Sequence, residues 1–183
     1  MKNLTAYRIF LHTLLGIAIY ISPQVIVSAS TESKSLPVFS RSYDPERDPF
    51  SDGREALKIA QKHNRHVLIE VGGNWCAWCH ILDKFIHSRP KLKKDFFDTF
   101  VLLKVNVSEE NDNKEFLKAF PPAYGYPHMY VTDNKGKILQ SKDTADFLEN
   151  KRYSVEKMYS FINRWKKIRD AKTAHQEVAP TVE

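Results

Sequence analysis

The feature that most constrains the fold is a pair of cysteines placed directly behind an apolar stretch. Cys76 and Cys79 are the only cysteines of the 183-residue chain, and two residues separate them. Because loop-closure entropy grows with loop length, a disulfide across so small a loop does little to restrain the unfolded chain. The apolar residues 67–71 predict a buried strand just before the pair. A strand that leads into Trp-Cys-x-x-Cys at a helix start indicates a reversible dithiol, with two reduced core cysteines as the alternative.

The N-terminal residues predict export. Lys2 and Arg8 form a positively charged region, and the mostly apolar residues 9–21 that follow are fewer than the roughly 20 residues a membrane span needs. We therefore expect a signal peptide over residues 1–29, cleaved after Ala29, with retention as a membrane anchor as the alternative. Export implies a compartment in which disulfides persist. Because the C-terminus carries no ER-retention tetrapeptide, we expect the periplasm or the extracellular space.

Length and charge favour a single globular domain after this cleavage. Removing 29 of the 183 residues leaves 154, which is enough for one domain with a hydrophobic core. The removed segment holds two of the 28 basic residues and none of the 22 acidic ones, so the remaining net charge is 26 minus 22, or +4. The excess is concentrated near the end of the chain, where we interpret it as a solvated helix end rather than a surface for nucleic acid or membrane. The basic residues concerned are Lys166, Lys167, Arg169 and Lys172.

Hydrophobic periodicity predicts alternating helices and strands. We expect an extended lead-in over residues 30–50, a folded domain over 51–167 and a disordered tail over 168–183. Within the domain, the predicted helices are 51–64 (capped by Ser51 or Asp52), 77 to before Pro90, 91–97, the region around 116–120, and one from Ser154 onward; the predicted strands are 67–71, 100–107, 128–131 and 137–140. The helix that follows Cys76 is expected to bury Ile81, Leu82, Phe85 and Ile86. Residues 141–153 show no period and are expected to form a surface loop. This order predicts an α/β fold with a mixed central sheet flanked by helices on both faces.

The cysteine spacing assigns a role to each thiol. Cys76 is expected at or just before the helix N-terminus, where free backbone amides and the helix dipole stabilise a thiolate. Thiol pKa values at such positions fall from about 8.5 to roughly 3.5–7.5. Cys76 is therefore the expected nucleophile on a substrate disulfide, and Cys79, one turn into the helix, is expected to resolve the mixed disulfide.

The chain resembles the thioredoxin family, in particular exported thioredoxin-like domains such as the C-terminal domain of the reductant conductor DsbD. The resemblance covers about residues 51–165 and includes more than the cysteine motif. Glu70 stands six residues before Cys76, where thioredoxins place a buried acid, and Lys104 matches the lysine that accompanies it. Tyr124-Gly125-Tyr126-Pro127 matches the loop whose proline is cis and faces the dithiol. The resemblance implies the thioredoxin fold and thiol:disulfide oxidoreductase activity.

The sequence allows two interpretations of Glu70 and Lys104. Burial raises the pKa of a carboxyl group, so Glu70 is a candidate acceptor for the Cys79 proton, directly or through water. The alternative is a purely structural ion pair between Glu70 and Lys104.

Three aromatic residues and a proline are candidates for substrate binding. The resemblance implies that Tyr126 offers its backbone to an extended substrate and that Pro127 is cis; an ordinary trans turn is the alternative. Trp75 and Trp78 could form an apolar docking surface, with plain packing equally open for Trp75. Trp78 is expected to be the more exposed of the two.

Two other functional classes remain open on the sequence alone. Cys76-Ala77-Trp78-Cys79-His80 is also a haem attachment motif, in which His80 would be an axial ligand and Met129 or Met158 the second. The third class is a binding module that keeps the fold without turnover. In the thioredoxin-like interpretation, His80 either tunes the Cys79 thiol or is a solvated helical histidine. The remaining histidines show no metal-ligand spacing with the cysteines, so we expect no zinc and no cofactor beyond the redox-active disulfide.

The dipeptide between the cysteines does not by itself indicate the direction of electron flow. Ala77-Trp78 is neither the Gly-Pro of reducing thioredoxins nor the Pro-His of strong periplasmic oxidants, and reduction potentials in this fold span about −270 to −120 mV. The resemblance to the DsbD domain favours a reductase. We expect a monomer that exchanges protein disulfides and receives electrons from an upstream partner, such as a membrane reductant conductor, and that binds no nucleic acid.

Overall fold

The computed structural model describes residues 35–178, with side chains described as far as Ala174. The predicted signal peptide, residues 30–34 of the predicted lead-in and residues 179–183 of the predicted tail lie outside the described residues. Within residues 35–178, no helix is both long enough and apolar enough to span a bilayer.

The described chain alternates helices with strands. The helices are α1 (Pro49–Lys62), α2 (Ala77–His87), α3 (Pro90–Thr99), α4 (Lys114–Leu117) and α5 (Val155–Val178), and the strands are β1 (His66–Gly72), β2 (Phe100–Asn106), β3 (His128–Thr132), β4 (Ile138–Asp143), β5 (Leu148–Glu149) and β6 (Arg152–Tyr153). Short 3-10 turns lie at Val38–Ser40 and Thr144–Phe147. Pro90 separates α2 from α3 as expected, because proline is accepted at the first position of a helix but not in its interior.

The central sheet has the order β2-β1-β3-β4. β1 and β2 are parallel, and their register places Glu70 opposite Lys104. β3 runs antiparallel to both β1 and β4. β1, β2 and β3 are buried along their whole length, which explains their near-continuous apolar sequence. The mixed sheet predicted from the element order is thus present.

Two hydrophobic cores cover the two faces of this sheet. One core packs α2, α3 and α5 against the sheet, with Leu82, Phe96 and Ile162 among its buried members. The other packs α1 and the 3-10 turn at Val38–Ser40 against the opposite face, through Ala56 and Phe39. The dithiol lies where β1 leads into α2, in a separate small cluster with Tyr43.

Two predictions about the helices were wrong in detail. α1 begins at Pro49, and its cap is Asp48, whose carboxylate accepts hydrogen bonds from the amides of Phe50 and Ser51. A carboxylate one residue before a proline at the first helical position explains this earlier start. Ile81, predicted to be buried, is 46% exposed. The buried stripe of α2 runs through Cys79, Leu82, Phe85 and Ile86, and Ile81 falls beside that stripe.

Two segments predicted to be irregular are ordered. Residues 141–153 continue β4, form the turn Thr144–Phe147 and then the short β5–β6 hairpin, with Phe147 and Tyr153 buried. Strands of two residues are too short to show any periodicity, which is why the sequence pattern did not reveal them. α5 continues to Val178, past the boundary expected near residue 168. Hydrogen bonds to this extension include one from the Asn64 side chain to Thr173 Oγ1, at 2.6 Å.

Candidate redox site

Cys76 and Cys79 form a disulfide at the N-terminus of α2. Cys76 is the N-cap residue, with extended backbone dihedrals, and Cys79 lies in the first turn. Their Cα atoms are 5.3 Å apart. The backbone amide of Cys79 donates to Cys76 Sγ at 3.2 Å. In the reduced protein this amide is placed to stabilise a Cys76 thiolate, because helix N-termini favour negative charge.

Hydrogen bonds donated by its own residues stabilise the turn between β1 and α2. The Cys76 amide donates to the Gly73 carbonyl at 3.0 Å, and Trp75 Nε1 donates to the Val107 carbonyl at 2.6 Å. A Cβ at Gly73 would lie 2.4 Å from Trp75 Nε1, so this packing of the indole requires glycine. The motif is therefore attached to the end of β2 as well as to β1.

Both tryptophans are exposed, but in the order opposite to the one expected. Trp75 is 59% exposed and Trp78 is 40% exposed. The Trp75 ring meets the Tyr126 ring edge-on at 5.6 Å between centroids, and Trp78 meets Tyr153 in the same way at 5.9 Å. Trp78 is the less exposed because its ring packs against Tyr153 of the β5–β6 hairpin, an element that the sequence did not predict.

The loop before β3 reaches the dithiol. The peptide bond between Tyr126 and Pro127 is cis. Tyr126 is half-buried and packs against the cluster of Tyr43, Cys76 and Cys79. The Pro127 carbonyl accepts a hydrogen bond from Thr144 Oγ1 at 2.6 Å.

Glu70 is a buried acid beneath this site, with only 2% of its surface exposed. Burial raises the pKa of its carboxyl group, while the positive charge of Lys104 and a hydrogen bond from Tyr43 act in the opposite direction. The Tyr43 hydroxyl donates to Glu70 Oε1. Burial also raises the pKa of the Tyr43 phenol well above its ordinary value, and the neighbouring Glu70 raises it further.

The direct ion pair between Lys104 and Glu70, which was the alternative interpretation of these two residues, does not form. Lys104 Nζ instead donates to Asp83 Oδ1 of α2 at 2.7 Å. The Lys104 side chain is 4% exposed, whereas that of Asp83 is 39% exposed. Lys104 therefore acts on Glu70 through its charge from the adjacent strand, while its hydrogen bond goes to a partner that reaches solvent.

His80 is exposed, and its Nε2 lies 2.7 Å from the Asn74 carbonyl oxygen. This contact ties the first turn of α2 to the loop before it. The His80 imidazole is thus hydrogen-bonded to the backbone of the motif.

Four residues of the site were missed from the sequence: Tyr43, Gly72, Asn74 and Asp83. Tyr43 and Asp83 approach Glu70 and Lys104 from distant parts of the chain, and no local pattern shows this. Asn74 Nδ2 donates to the Tyr43 carbonyl at 2.8 Å. The available signals were the aromatic residues of the lead-in, Tyr43 among them, and the glycine pair before the motif.

Replacing Gly72 with alanine is expected to destabilise the protein. A Cβ there would lie 2.6 Å from Cys79 Sγ and 2.9 Å from Tyr43 Oη, so the disulfide or the phenol has to move. Overpacking of this kind costs about 1–3 kcal/mol of unfolding free energy, which denaturant melts of the oxidised protein measure. Gly125→Ala is the matched control, because a Cβ at Gly125 meets nothing within 4 Å. Equal stability of the two variants would contradict this packing.

Comparison with protein families places most of the chain in one family. Residues 31–179 match the family described as "Protein of unknown function, DUF255", whose model is named Thioredox_DsbH. Spermatogenesis-associated protein 20 of Homo sapiens is 26% identical over 118 residues, which cover 62% of this chain and 15% of that protein. Thiol:disulfide interchange protein DsbD of Photorhabdus laumondii is 23% identical over 96 residues, covering 52% of this chain and 16% of that protein. The chain thus spans about a sixth of the length of these curated relatives.

A solved structure shows the same fold. The crystal structure of disulphide isomerase from Xylella fastidiosa Temecula1 is similar with a TM-score of 0.57 and 26% sequence identity, over 72% of this chain and 98% of that chain. With the mixed sheet and its flanking helices, this similarity confirms the thioredoxin-like fold. The chain therefore belongs to the thioredoxin-like DUF255 family.

Proposed function

We propose that this protein is a thiol:disulfide oxidoreductase that exchanges protein disulfides through Cys76 and Cys79. The observation that carries the proposal is the disulfide itself, placed at a helix N-terminus with the Cys79 amide donating to Cys76 Sγ. The names of two relatives, a thiol:disulfide interchange protein and a disulphide isomerase, agree with this chemistry.

The reaction divides between the two thiols. The Cys76 thiolate attacks a substrate disulfide and forms a mixed disulfide, and one substrate sulfur leaves with the electron pair. Cys79 then attacks Cys76 Sγ, the internal disulfide forms, and the second substrate sulfur leaves. The dithiol has lost two electrons and the substrate disulfide has gained them.

Substrates are proposed to dock on the aromatic surface around the dithiol, formed by Trp75, Trp78 and Tyr126. Each exposed indole directly precedes one of the two cysteines in the sequence. Tyr126, next to Pro127, packs against both cysteines. An extended segment lying along this loop could pair with the Tyr126 backbone as an added strand.

The direction, setting and partners of the reaction are further parts of the proposal. We propose a reductase that acts as a monomer after export, with a membrane reductant conductor as electron donor. The apolar residues 9–21 support export, and the buried Glu70 near Lys104 supports the reductase direction. The disulfide serves as the redox centre without a resident cofactor.

A haem protein is less compatible with this geometry. Covalent attachment would join a vinyl carbon of the porphyrin to each cysteine sulfur. Cys79, however, is 1% exposed, and the space between its Sγ and Gly72 is too small even for a methyl group. Met129 and Met158 are buried in the core on the α2, α3 and α5 face of the sheet. His80 Nε2 faces the Asn74 carbonyl.

Catalysed reduction of a disulfide-bonded protein tests the proposal. With dithiothreitol as electron donor, the protein is expected to accelerate reduction well beyond the rate of dithiothreitol alone. Cys76→Ser is expected to return the rate to that background, because the thiol that attacks the substrate disulfide is removed. Failure of the wild type to accelerate the reaction with any thiol donor would instead leave a binding module with this fold.

A further inference from the structure

The Tyr43 phenol is a neighbour of both the Cys79 sulfur and the Glu70 carboxylate. Tyr43 is buried and packs with Cys76 and Cys79 in one cluster, and its hydroxyl donates to Glu70 Oε1. A Cβ built on Gly72 would lie 2.6 Å from Cys79 Sγ and 2.9 Å from Tyr43 Oη. Cys79 Sγ and Tyr43 Oη are therefore at most about 5.5 Å apart, the sum of these two distances. No side chain at Gly72 separates them.

Tyr43 is held in place from both sides of its segment. Asn74, two residues before Cys76, donates to the Tyr43 carbonyl at 2.8 Å. Upstream, Phe39 is buried in the core on the α1 face of the sheet. Downstream, the Asn111 side chain donates to the Pro45 carbonyl at 2.7 Å. The predicted extended lead-in is thus packed against the domain from Phe39 onward, and this packing positions Tyr43 beside the two cysteines.

The charged and titratable groups around Tyr43 come from four elements. Glu70 of β1 accepts its hydrogen bond, and Lys104 of β2 places Nζ 5.2 Å from the ring centroid. Asp83 of α2 and Tyr153 of β6 act on the phenol from further away, and His87 of α2 acts on Glu70. Because burial and Glu70 both raise the pKa of Tyr43, the phenol keeps its proton at neutral pH. It can therefore donate to Glu70 and accept from a second group at the same time.

We propose that Tyr43 relays the proton of Cys79 to Glu70 when Cys79 resolves the mixed disulfide, an inference that rests on the proposed function. As Cys79 attacks Cys76 Sγ, its thiol proton passes to Tyr43 Oη while the phenol proton passes to the Glu70 carboxylate. The bond between Cys76 and the substrate sulfur breaks, and that sulfur leaves as a thiolate with the electron pair. Glu70 ends neutral and Tyr43 is unchanged. When a donor later reduces the disulfide, the same relay returns the proton to Cys79.

Tyr43→Phe tests this relay, because it removes the hydroxyl and keeps the ring that packs on the cysteines. The reduced protein is mixed with an aromatic disulfide whose thiolate product is coloured, so that attack by Cys76 and resolution by Cys79 each release one coloured thiolate. The first phase is expected to be unchanged. The second is expected to slow by roughly 10²-fold, the lower end of the usual range for general acid–base assistance, with an altered pH profile. Tyr130→Phe is the matched control: this buried tyrosine donates to the Pro121 carbonyl at 2.5 Å, away from the dithiol.

A double variant separates a relay from two independent effects. If Tyr43 and Glu70 act as one unit, Tyr43→Phe combined with Glu70→Gln is expected to resolve no more slowly than the slower single variant. Slowing equal to the product of the single effects would overturn the relay. So would a Tyr43→Phe variant that loses stability but resolves within twofold of the wild type. The wild-type trace tests the proposed function separately, since two coloured products per protein show that both thiols exchange.

Discussion

Replacing Cys79 with serine is expected to leave the protein covalently joined to its partners through Cys76. With Cys79 absent, nothing attacks the mixed disulfide, so it persists until an external thiol releases it. Partners should therefore appear as species that disappear on reduction, on gels run without reductant. This effect is close to all-or-none and is among the largest the geometry predicts.

Cys76→Ser is the matched control for this trap, and it is expected to capture little. Both cysteines are buried, but only Cys76 occupies the N-cap and accepts a hydrogen bond from the Cys79 amide. Cys79 lies inside the helix, with its Sγ close to Gly72. Mass spectrometry of the trapped peptides identifies which sulfur carries the partner. If the Cys76→Ser variant were the better trap, the roles of nucleophile and resolver would have to be exchanged.

Glu70→Gln is expected to slow resolution of the mixed disulfide by roughly 10²-fold, the usual effect of losing a general base. Glutamine keeps the size of the side chain and can still accept the hydrogen bond from Tyr43, but it cannot take a proton. The initial attack by Cys76 is expected to change much less, because that sulfur is stabilised by the helix N-terminus rather than by Glu70. Stopped-flow reduction of an aromatic disulfide measures both steps. An unchanged resolution rate would show that Glu70 has no acid–base role.

The stability of the same variant distinguishes this role from a structural one. Breaking a buried ion pair costs about 3–5 kcal/mol because one charge is left unpaired. Lys104, however, forms its hydrogen bond with Asp83 rather than with Glu70. Glu70→Gln therefore leaves Lys104 paired, and a loss of stability of that size is not expected. Loss of a few kcal/mol with normal resolution would restore the ion-pair interpretation.

The raised pKa of Glu70 also predicts a dependence of stability on pH. The folded state binds this proton more tightly than the unfolded state, so the stabilisation is complete below the ordinary pKa of glutamate. It is lost as the pH rises through the raised value in the folded protein. Denaturant melts of the wild type are expected to show this fall, and Glu70→Gln is expected to remove it.

Much of the fold was predictable because its signals are local. The buried strands before the dithiol and at residues 100–106 are continuous apolar runs, and the helix after Cys76 has a regular apolar stripe. The position of Glu70 opposite Lys104 followed from the resemblance, and the register of β1 and β2 shows it.

The parts that sequence reasoning missed depend on contacts between distant segments. The ion pair of Lys104 with Asp83 joins β2 to α2, and the hydrogen bond of Tyr43 with Glu70 joins the lead-in to β1. Neither has a periodic signal, since each involves one side chain at one position. The lower exposure of Trp78 depends in the same way on its contact with Tyr153, which lies in a hairpin of two-residue strands, β5 and β6.

The reduction potential of the Cys76–Cys79 pair, measured by equilibration with glutathione, tests the central claim most directly. A reversible redox couple in this fold is expected between about −270 and −120 mV, and a reductase near the lower end of that range. The fraction reduced at each glutathione ratio can be read by alkylation and mass spectrometry, with Cys76 expected to be alkylated before Cys79. A potential below about −300 mV, typical of structural disulfides, would contradict the account.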